Sequence, residues 1–598
     1  MFWKREYCPE NFRPEELTVF SLRDILLSLR GIKTPAEREA FLNPPDPRLL
    51  RPEQTGINPR ETDKAVDRIF MAIENNEPIV VYGDYDVDGC SGTAILWENL
   101  FYVFKAHALP FIPDRETDGF GLTVEGLKKI YADSRYQLNG EKKGGLIVTV
   151  DNGITKNKAI DFAKEHSQDV IVVDHHDKPL DEPSHAQAVI HTLDLCAAGV
   201  SYFLTRELLQ RKGKKPRFDP LDLVALATVA DIVPLTKHNR AFTKHGLEIL
   251  RESKRPGIAA ICQAAGLDQT KIDTVDIGYK IGPRLNAAGR LESAIISLRA
   301  LCERDPGKAL RLASQLETAN DQRQKVQKES YLKLKEAISR RRQAATTDGS
   351  EELVFVEVGP YPEGVIGLLA GDLVKDYHRV AMVLTETVEP GIYKASVRSI
   401  KGFNVTEALE KCRDLLIEPG GHEMAAGFKI RGENVAEFKK RINTLAAEKL
   451  TPEMLEKKIK VDCELPINKI NFEIFKMIES LGPFGQENPR PVFSARVEIS
   501  DFQILLDKNE NAKARKPTHF KFTAREIIPG EKNPMVKLKR RPVAFKVIGF
   551  NKADLANKFA PGETVRISYS LQLNTYNGNG LGSLELEIAD IKKDGEPD

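Results

Sequence analysis

Paired cysteines are missing from this chain. Seven are scattered across 598 residues (Cys8, Cys90, Cys196, Cys262, Cys302, Cys412 and Cys463), and none forms a CxxC pair. That spacing excludes a zinc ribbon and a disulfide framework and fits a reducing compartment. Net charge is nearly absent too: 88 Lys and Arg against 87 Asp and Glu leave +1. Global charge gives no argument for a polyanion partner, so any nucleic-acid surface must be local. No run approaches the roughly 20 apolar residues of a membrane span. The start, MFWKREYCPENF, has no apolar core, so no secretory signal is expected. These absences point to a cytoplasmic protein without membrane contact. The remaining composition, 41% hydrophobic and 29% charged, is that of an ordinary globular chain. Its length suits about three to five domains.

One stretch organises the rest: PIVVYGDYDVDGCSGTAIL, residues 78–96. Ile79 to Tyr82 reads as a buried strand. Asp84, Asp86 and Asp88 follow at alternate positions, Gly89 and Gly92 permit a tight turn, and Thr93 to Leu96 begins a helical pattern. Three carboxylates this close repel one another unless a cation neutralises them. Hard divalent cations prefer such oxygen ligands. A solvated acidic turn or a calcium loop is the plainer reading. An EF-hand, however, needs a flanking helix and a Glu at the twelfth loop position, and neither is present.

Two further apolar runs end in chemistry. GGLIVTVDNG (144–153) ends in Asp151, and DVIVVDHH (169–176) ends in Asp174, His175 and His176. Near-continuous Val/Ile runs joined by helices predict a parallel sheet covered on both faces. Its sites belong at the carboxyl ends of the strands. LDLVALATVADIVPL (221–235) reads as a buried helix that leaves Asp231 in an apolar context, which is expensive unless the acid is paired or bound to a metal. Singly, each group has a plain reading: a strand-end Asp is usually a helix cap, and a lone His is usually structural. Together they fall where strand ends converge. Carboxylates with imidazole suit Mn²⁺ or Mg²⁺. Two such ions would clamp the attacking and leaving oxygens of a phosphoryl displacement.

The order DxDxDG, VDNG, VDHH and ATVADIVPL resembles the DHH phosphoesterase superfamily, and within it the bacterial exonucleases that degrade single-stranded DNA from the 5′ end. The likeness runs from about residue 40 to the C-terminus. The resemblance implies two divalent cations, Mn²⁺ or Mg²⁺, among Asp84, Asp86, Asp88, Asp151, His175 and Asp231. Of the first three acids, Asp86 and Asp88 are the favoured ligands. Asp174 and His176 would orient ligands or aid proton transfer. In PDRETDGFGL (113–122), otherwise an ordinary turn-rich loop, Arg115 would meet a terminal phosphate and Phe120 would stack on a base. IGPRLNAAGRL (281–291) resembles the family's APRLNAAGR motif and would bring Arg284, Asn286 and Arg290 to the substrate; the plain alternative is a helix-capping loop with salt-bridged arginines. Arg323 and Gln324 would face the cleft. Ser396 and Arg398 would join Arg115 at the 5′ phosphate. In GGHEMAAGFKI (420–430), Gly420, Gly421 and His422 would hold the scissile phosphate, since a glycine pair exposes backbone N–H groups to an anion. Two departures stand out. Tyr361 and Pro362 replace the family's Trp-His before GVIG, and the loop after VDHH is expected to be shorter.

The expected architecture is a multidomain α/β protein. An N-terminal arm (1–60) packs on the next domain, a parallel-sheet DHH catalytic domain spans 61–300, and a connecting helix and linker occupy 301–350. A DHHA1 α/β substrate-binding domain (351–450) and a C-terminal β-barrel of OB fold (451–598) follow. Between Asp507 and Pro542 lie eleven Lys/Arg against four Asp/Glu, led by Lys513, Arg515, Lys516, Lys537, Lys539, Arg540 and Arg541. With His519, Phe520 and Phe522 beside it, that run would suit single-stranded nucleic acid; otherwise it is a solvated loop. The resemblance implies a monomeric 5′→3′ exonuclease releasing 5′ mononucleotides in repair and recombination, with a helicase and a single-strand-binding protein as partners. The rivals are an enzyme of the same superfamily acting on short oligonucleotides, which the OB barrel argues against, and a non-catalytic single-strand-binding scaffold, which the complete acid set argues against.

Overall fold

The computed structural model describes residues 1–9, 12–115, 117–136, 145–179, 182–291, 293–344, 352–506, 517–527, 542–556, 558–574 and 582–597. The chain begins with a short strand, β1 (Phe2–Arg5), but the first large sheet is built outward from β2 (Ile79–Gly83), every residue of which is buried. β2, β3 (Ala108–Phe111), β4 (Leu146–Val150), β5 (Asp169–Asp174) and β6 (Ala188–His191) form a parallel sheet in the order β3-β2-β4-β5-β6. Alternation serves both faces of the sheet. Ile79 and Val81 pack against one helical layer with Val148 and Ile171. Val80 and Tyr82 pack against the other with Ile147 and Val172. From β2 the chain crosses to β3 on one side and then to β4 on the other, so the order reverses beside β2. Open sheets hold their ligands in the crevice at such a reversal.

Three helices frame that crevice: Val87–Glu98, Ala197–Arg211 and Leu221–Ala230. A buried ion triad ties two of them together. Arg255 donates through Nη1 to Glu98 Oε2 at 2.7 Å and through Nε to Asp222 Oδ2 at 2.9 Å, and all three side chains are only 1% exposed. Glu98 ends the helix whose first turn carries Asp88, and Asp222 begins the helix that Asp231 caps. Breaking a buried network strands its remaining charges. Arg255→Met should therefore lower the unfolding free energy by about 3 kcal/mol or more, measured by urea denaturation.

The helix Pro306–Ala344, 39 residues long, leads to a second sheet. β7 (Val354–Val358), β8 (Val380–Glu386), β9 (Ile392–Arg398), β10 (Leu416–His422) and β11 (Ala425–Arg431) lie in the order β10-β11-β9-β8-β7, with only β7 and β8 parallel. Leu334 and Ile338 of the long helix share a core with Leu369 and Leu373 of the helix Ile366–Tyr377. Pro44 to Leu455 form one compact unit with Gly485–Glu487. The expected linker, 343–350, lies outside the described residues from 345 onward.

A second unit joins Met1–Asn43 to Glu456–Phe484 and Asn488–Asp598. β12 (Lys458–Val461) pairs with β1, and β13 (Cys463–Glu464) pairs with the barrel's first strand. β14 (Phe493–Leu506), β15 (Pro517–Arg525), β16 (Ala544–Gly549), β17 (Thr564–Asn574) and β18 (Ser583–Lys593) run β14-β15-β16-β18-β17, and pairing of β17 with β14 closes the barrel. Residues 1–43, expected as an arm with 44–60, belong instead to the barrel's unit: Leu22, Leu26 and Leu27 share its core with Ile474 and Phe493. Phe520 and Phe522, beside the basic run in sequence, fill the barrel at 1% and 2% exposure, because strand alternation points them inward with Ala524. Lys513, Arg515, Lys516, Lys537, Lys539, Arg540 and Arg541 lie outside the described residues. Among the described residues no helix is long and apolar enough to cross a membrane.

Candidate metal centre and phosphate cluster

The acids converge because short turns end their strands. After β2, Asp86 caps the helix Val87–Glu98 through the Gly89 N–H at 3.0 Å. A Cβ on Gly89 would lie 2.6 Å from the Asp84 carbonyl oxygen, so this turn closes only around glycine. Asp88, one residue inside the helix, is fixed from the far side: its two oxygens accept the Ala197 and Ala198 N–H groups at 2.7 Å each. Asp151 follows β4 in the left-handed region, at φ 65°, with its N–H bonded to Val173 O at 2.9 Å. Asp231 caps the C-terminus of its helix.

His175 Nε2 sits at the focus, 3.2 Å from Asp151 Oδ1, 3.5 Å from Asp88 Oδ2 and 3.7 Å from Asp231 Oδ2. Three ligand sets converge: Asp84, Asp86 and Asp151; Asp88, His175 and Asp231; and Asp151, His175 and His176. Asp84 Oδ1 and Asp151 Oδ1 are buried without a hydrogen-bond partner. Buried, orphaned carboxylate oxygens within converging ligand sets fit hard divalent cations.

The electrostatics agree. Burial, then Asp86, pushes the Asp84 carboxyl up to about 8. Burial followed by neighbouring carboxylates raises Asp151 and Asp231 well above the usual range. Burial raises Asp88 too, opposed by His175. His175 is pushed down, first by burial, so its imidazole stays neutral and free to ligate. Asp174 works differently. Burial would raise it, but the His176 hydrogen bond and charge, with backbone N–H groups, hold it low. It accepts from the N–H groups of Ile154, His175 and His176 and lies 2.8 Å from His176 Nδ1. Asp174 thus shapes the turn that presents both histidines. In return, its hydrogen bond raises His176 to about 9.

A cationic cluster lies beside the acids. Asn152 and Tyr82 anchor the loop 113–122: Asn152 Oδ1 accepts the Leu122 N–H at 3.0 Å, and the Tyr82 hydroxyl donates to Gly121 O at 3.0 Å. The anchored loop places Arg115 4.8 Å from the Phe120 ring centre and 5.6 Å from that of Tyr85. Arg290 donates to Gly364 O at 3.0 Å. Burial first, opposed by Tyr85 and aided by Arg115, Arg323 and Arg398, lowers its pKa to about 10. Arg398 bonds to Val397 O at 2.8 Å and reaches Ser396 Oγ at 3.4 Å.

Other expected site residues serve different ends. Arg284 is engaged in a two-pronged pair with Glu317, which ties its helix to the long one. Asn286 accepts the Val87 N–H at 3.1 Å and so braces the Asp86–Asp88 turn. Arg323 bonds to Asn320 and Gln327 along its own helix, and Gln324 is exposed. Phe120 has Arg115 and, at 4.9 Å, Lys394 Nζ against its ring, while the residue stays 38% exposed. Gly420 and Gly421 lie on β10, which turns into β11. His422, at the end of β10, has Nδ1 2.9 Å from Asp177 Oδ2, and its ring lies 6.2 Å from that of His176. Asp177→Ala combined with His422→Gln should reduce kcat no more than His422→Gln alone, about 10²-fold. Additive losses in steady-state assays would refute the coupling.

Sequence reasoning passed over Lys394, Glu363 and Lys156. Lys394 was readable, since period 2 puts it on the same face of β9 as Ser396 and Arg398. Lys156 had no signal: burial lowers its pKa, opposed by Asp84 and Asp174.

The family model "DHH family, N-terminal domain" matches residues 78–228, the DHHA1 domain model matches 352–448, and the RecJ OB domain model matches 461–590. The single-stranded-DNA-specific exonuclease RecJ of Bacillus subtilis (strain 168) is 32% identical over 589 residues, covering 97% of this chain and 69% of that protein. The protein of that name from Haemophilus influenzae is 30% identical over 584 residues, covering 93% and 94%. A crystal structure of RecJ with Mn²⁺ from Thermus thermophilus superposes with a TM-score of 0.75 at 26% identity, over 100% of this chain and 80% of that one. A second from the same organism, with Mg²⁺, gives 0.71 at 25% identity, over 100% and 79%. A parallel sheet with acids at its reversal, followed by a DHHA1 domain, is the DHH class of phosphoesterase. Within that class, with a RecJ-type barrel and relatives matched along almost the whole chain, this protein belongs to the RecJ family.

Proposed function

We propose that the chain is a single-stranded-DNA-specific exonuclease that hydrolyses from the 5′ end and releases 5′ mononucleotides. The observation that carries this reading is the pair of ligand sets Asp84, Asp86 and Asp151, and Asp88, His175 and Asp231, with Asp84 Oδ1 and Asp151 Oδ1 buried and orphaned among them. Asp84, Asp86, Asp151, Asp88, His175 and Asp231 would hold two divalent cations, Mn²⁺ or Mg²⁺. Bound there, they supply Lewis acidity at the phosphate and acidify the attacking water.

The chain's own groups do the rest. Asp174 holds the His175-His176 turn. His176 carries its proton at neutral pH, directed at Asp174, and is available for proton transfer. His422, across from His176, would face the scissile phosphate with Gly420 and Gly421. Arg115, Arg290, Ser396 and Arg398 would receive the terminal phosphate, where a guanidinium fork binds two oxygens at once. The barrel would extend the contact along a longer strand. A monomeric, cytoplasmic protein that acts in repair and recombination after a helicase, alongside a single-strand-binding protein, belongs to the same reading.

The test is cleavage of single-stranded DNA labelled separately at each end, with Mn²⁺ or with chelator. Metal-dependent release of 5′ mononucleotides from the single strand, and not from a blunt duplex, is expected. Activity confined to two- to five-nucleotide fragments, or binding without hydrolysis under any metal, would overturn the proposal.

A further inference from the structure

The cationic cluster contains a carboxylate that its task does not call for. Lys394, Ser396 and Arg398 alternate along β9 and share one face. The turn Glu363–Val365 and the helix Ile366–Tyr377 close over that face. A Cβ on Gly367 would lie 3.0 Å from Ser396 Oγ and 3.3 Å from Arg398 Nη2, so the helix's first turn lies directly against the cluster. Glu363 heads this turn, and one of its oxygens, Oε1, serves two cations. It pairs tightly with Lys394 Nζ and lies 3.9 Å from Arg115 Nε. Both cations also rest on the Phe120 ring. Among the described residues, Glu363 is the one carboxylate within ion-pair distance of Arg115 or Lys394, and none pairs with Arg290 or Arg398.

We propose that Glu363 is a resident anion occupying the cluster while no strand is bound, and that Lys394 is a further phosphate ligand which it releases, so that the pair sets the preference for a 5′-phosphorylated over a 5′-hydroxyl end. This rests on the reading of the cluster as the terminal-phosphate site. Charge gives the reason for exchange. Arg115, Arg290, Arg398 and Lys394 carry four positive charges against one carboxylate. A terminal phosphate monoester brings about −1.5 to −2 and three acceptor oxygens, whereas an internal diester brings a single charge. The monoester is therefore the ligand able to displace Glu363. A 5′-hydroxyl end leaves the Glu363–Lys394 pair in place. Neutralising the cluster in the strand-free state also limits the mutual repulsion of the arginines.

The test is fluorescence anisotropy with the full chain in chelator, using one 12-nucleotide strand with either 5′ phosphate or 5′ hydroxyl. Glu363→Gln is expected to tighten the phosphorylated strand by about threefold to fivefold, the scale of one weak ion pair, and to leave the hydroxyl strand unchanged. Lys394→Met should weaken the phosphorylated strand about tenfold, again sparing the hydroxyl strand. Equal losses for both strands, or an unchanged ratio in Glu363→Gln, would overturn the proposal. Thermal shift with inorganic phosphate separates this from the exonuclease reading. A larger phosphate-induced rise in Tm for Glu363→Gln than for the natural protein would uphold the resident anion even if no strand were cleaved. An equal or smaller rise would reject it.

Discussion

Asp151→Asn is expected to abolish strand cleavage while leaving the fold intact. Asp151 belongs to two of the three converging ligand sets, and no other carboxylate among the described residues does. Its Oδ1 is 3.2 Å from His175 Nε2 and has no hydrogen-bond donor of its own. An amide keeps the volume but loses the charge on which both sets depend. The loss should be roughly 10³-fold in kcat, or about 4 kcal/mol of barrier, the scale of removing metal-based stabilisation. The fold should survive because Asn tolerates the left-handed backbone as well as Asp does, and the N–H bond to Val173 is main chain. Mn²⁺ titration by calorimetry should show weakened binding alongside the lost activity. A variant keeping more than a tenth of the activity would rule out the shared ligand.

Local rules made the catalytic sheet legible. The apolar runs at 79–82, 146–150 and 169–174 could only be buried strands, and each ended in an acid where a parallel sheet presents one. The five barrel strands were readable by alternation. The same alternation turns Phe520 and Phe522, next to a basic run in sequence, inward with Ala524. The misses have a different cause. That residues 1–43 complete the barrel's core depends on pairing across more than 450 positions (Phe2 with Lys458), which no local pattern encodes. Arg284 looked like a substrate ligand because its motif is specific, yet Glu317, on the long helix, claims it. Asn286 likewise sits next to the chemistry without facing it. A motif shows which residues matter; only packing shows whether a residue touches substrate or steadies a neighbour that does.

The second large effect is on stability, and it should reverse with metal. In chelator the protein should become less stable as pH rises from 6 to 8. Asp84 titrates at about 8 when folded, against 3.8 for an ordinary Asp, because of burial first and Asp86 second. Between those values the folded protein holds a proton that the unfolded chain has released. Stability then falls with pH, since the unfolded state binds fewer protons. Asp88, Asp151 and Asp231 are shifted in the same direction. His176, raised to about 9 by its bond to Asp174, adds to the decline: its contribution is complete below the ordinary His value of 6.5 and is lost as pH climbs through 9. Asp174 is held low, so its stabilisation fades only in acid. The fall from pH 6 to pH 8 should be on the order of 2 kcal/mol. Mn²⁺ competes with those protons, so with saturating metal stability should instead hold or rise across the same range. Asp84→Asn should flatten the decline in chelator and weaken the rescue by Mn²⁺. Thermal denaturation at pH 6, 7 and 8, with and without metal, reads all of these. A chelated protein whose Tm rises with pH would show that the acids are not forced together by the fold, and the cluster would lose its standing as a metal centre.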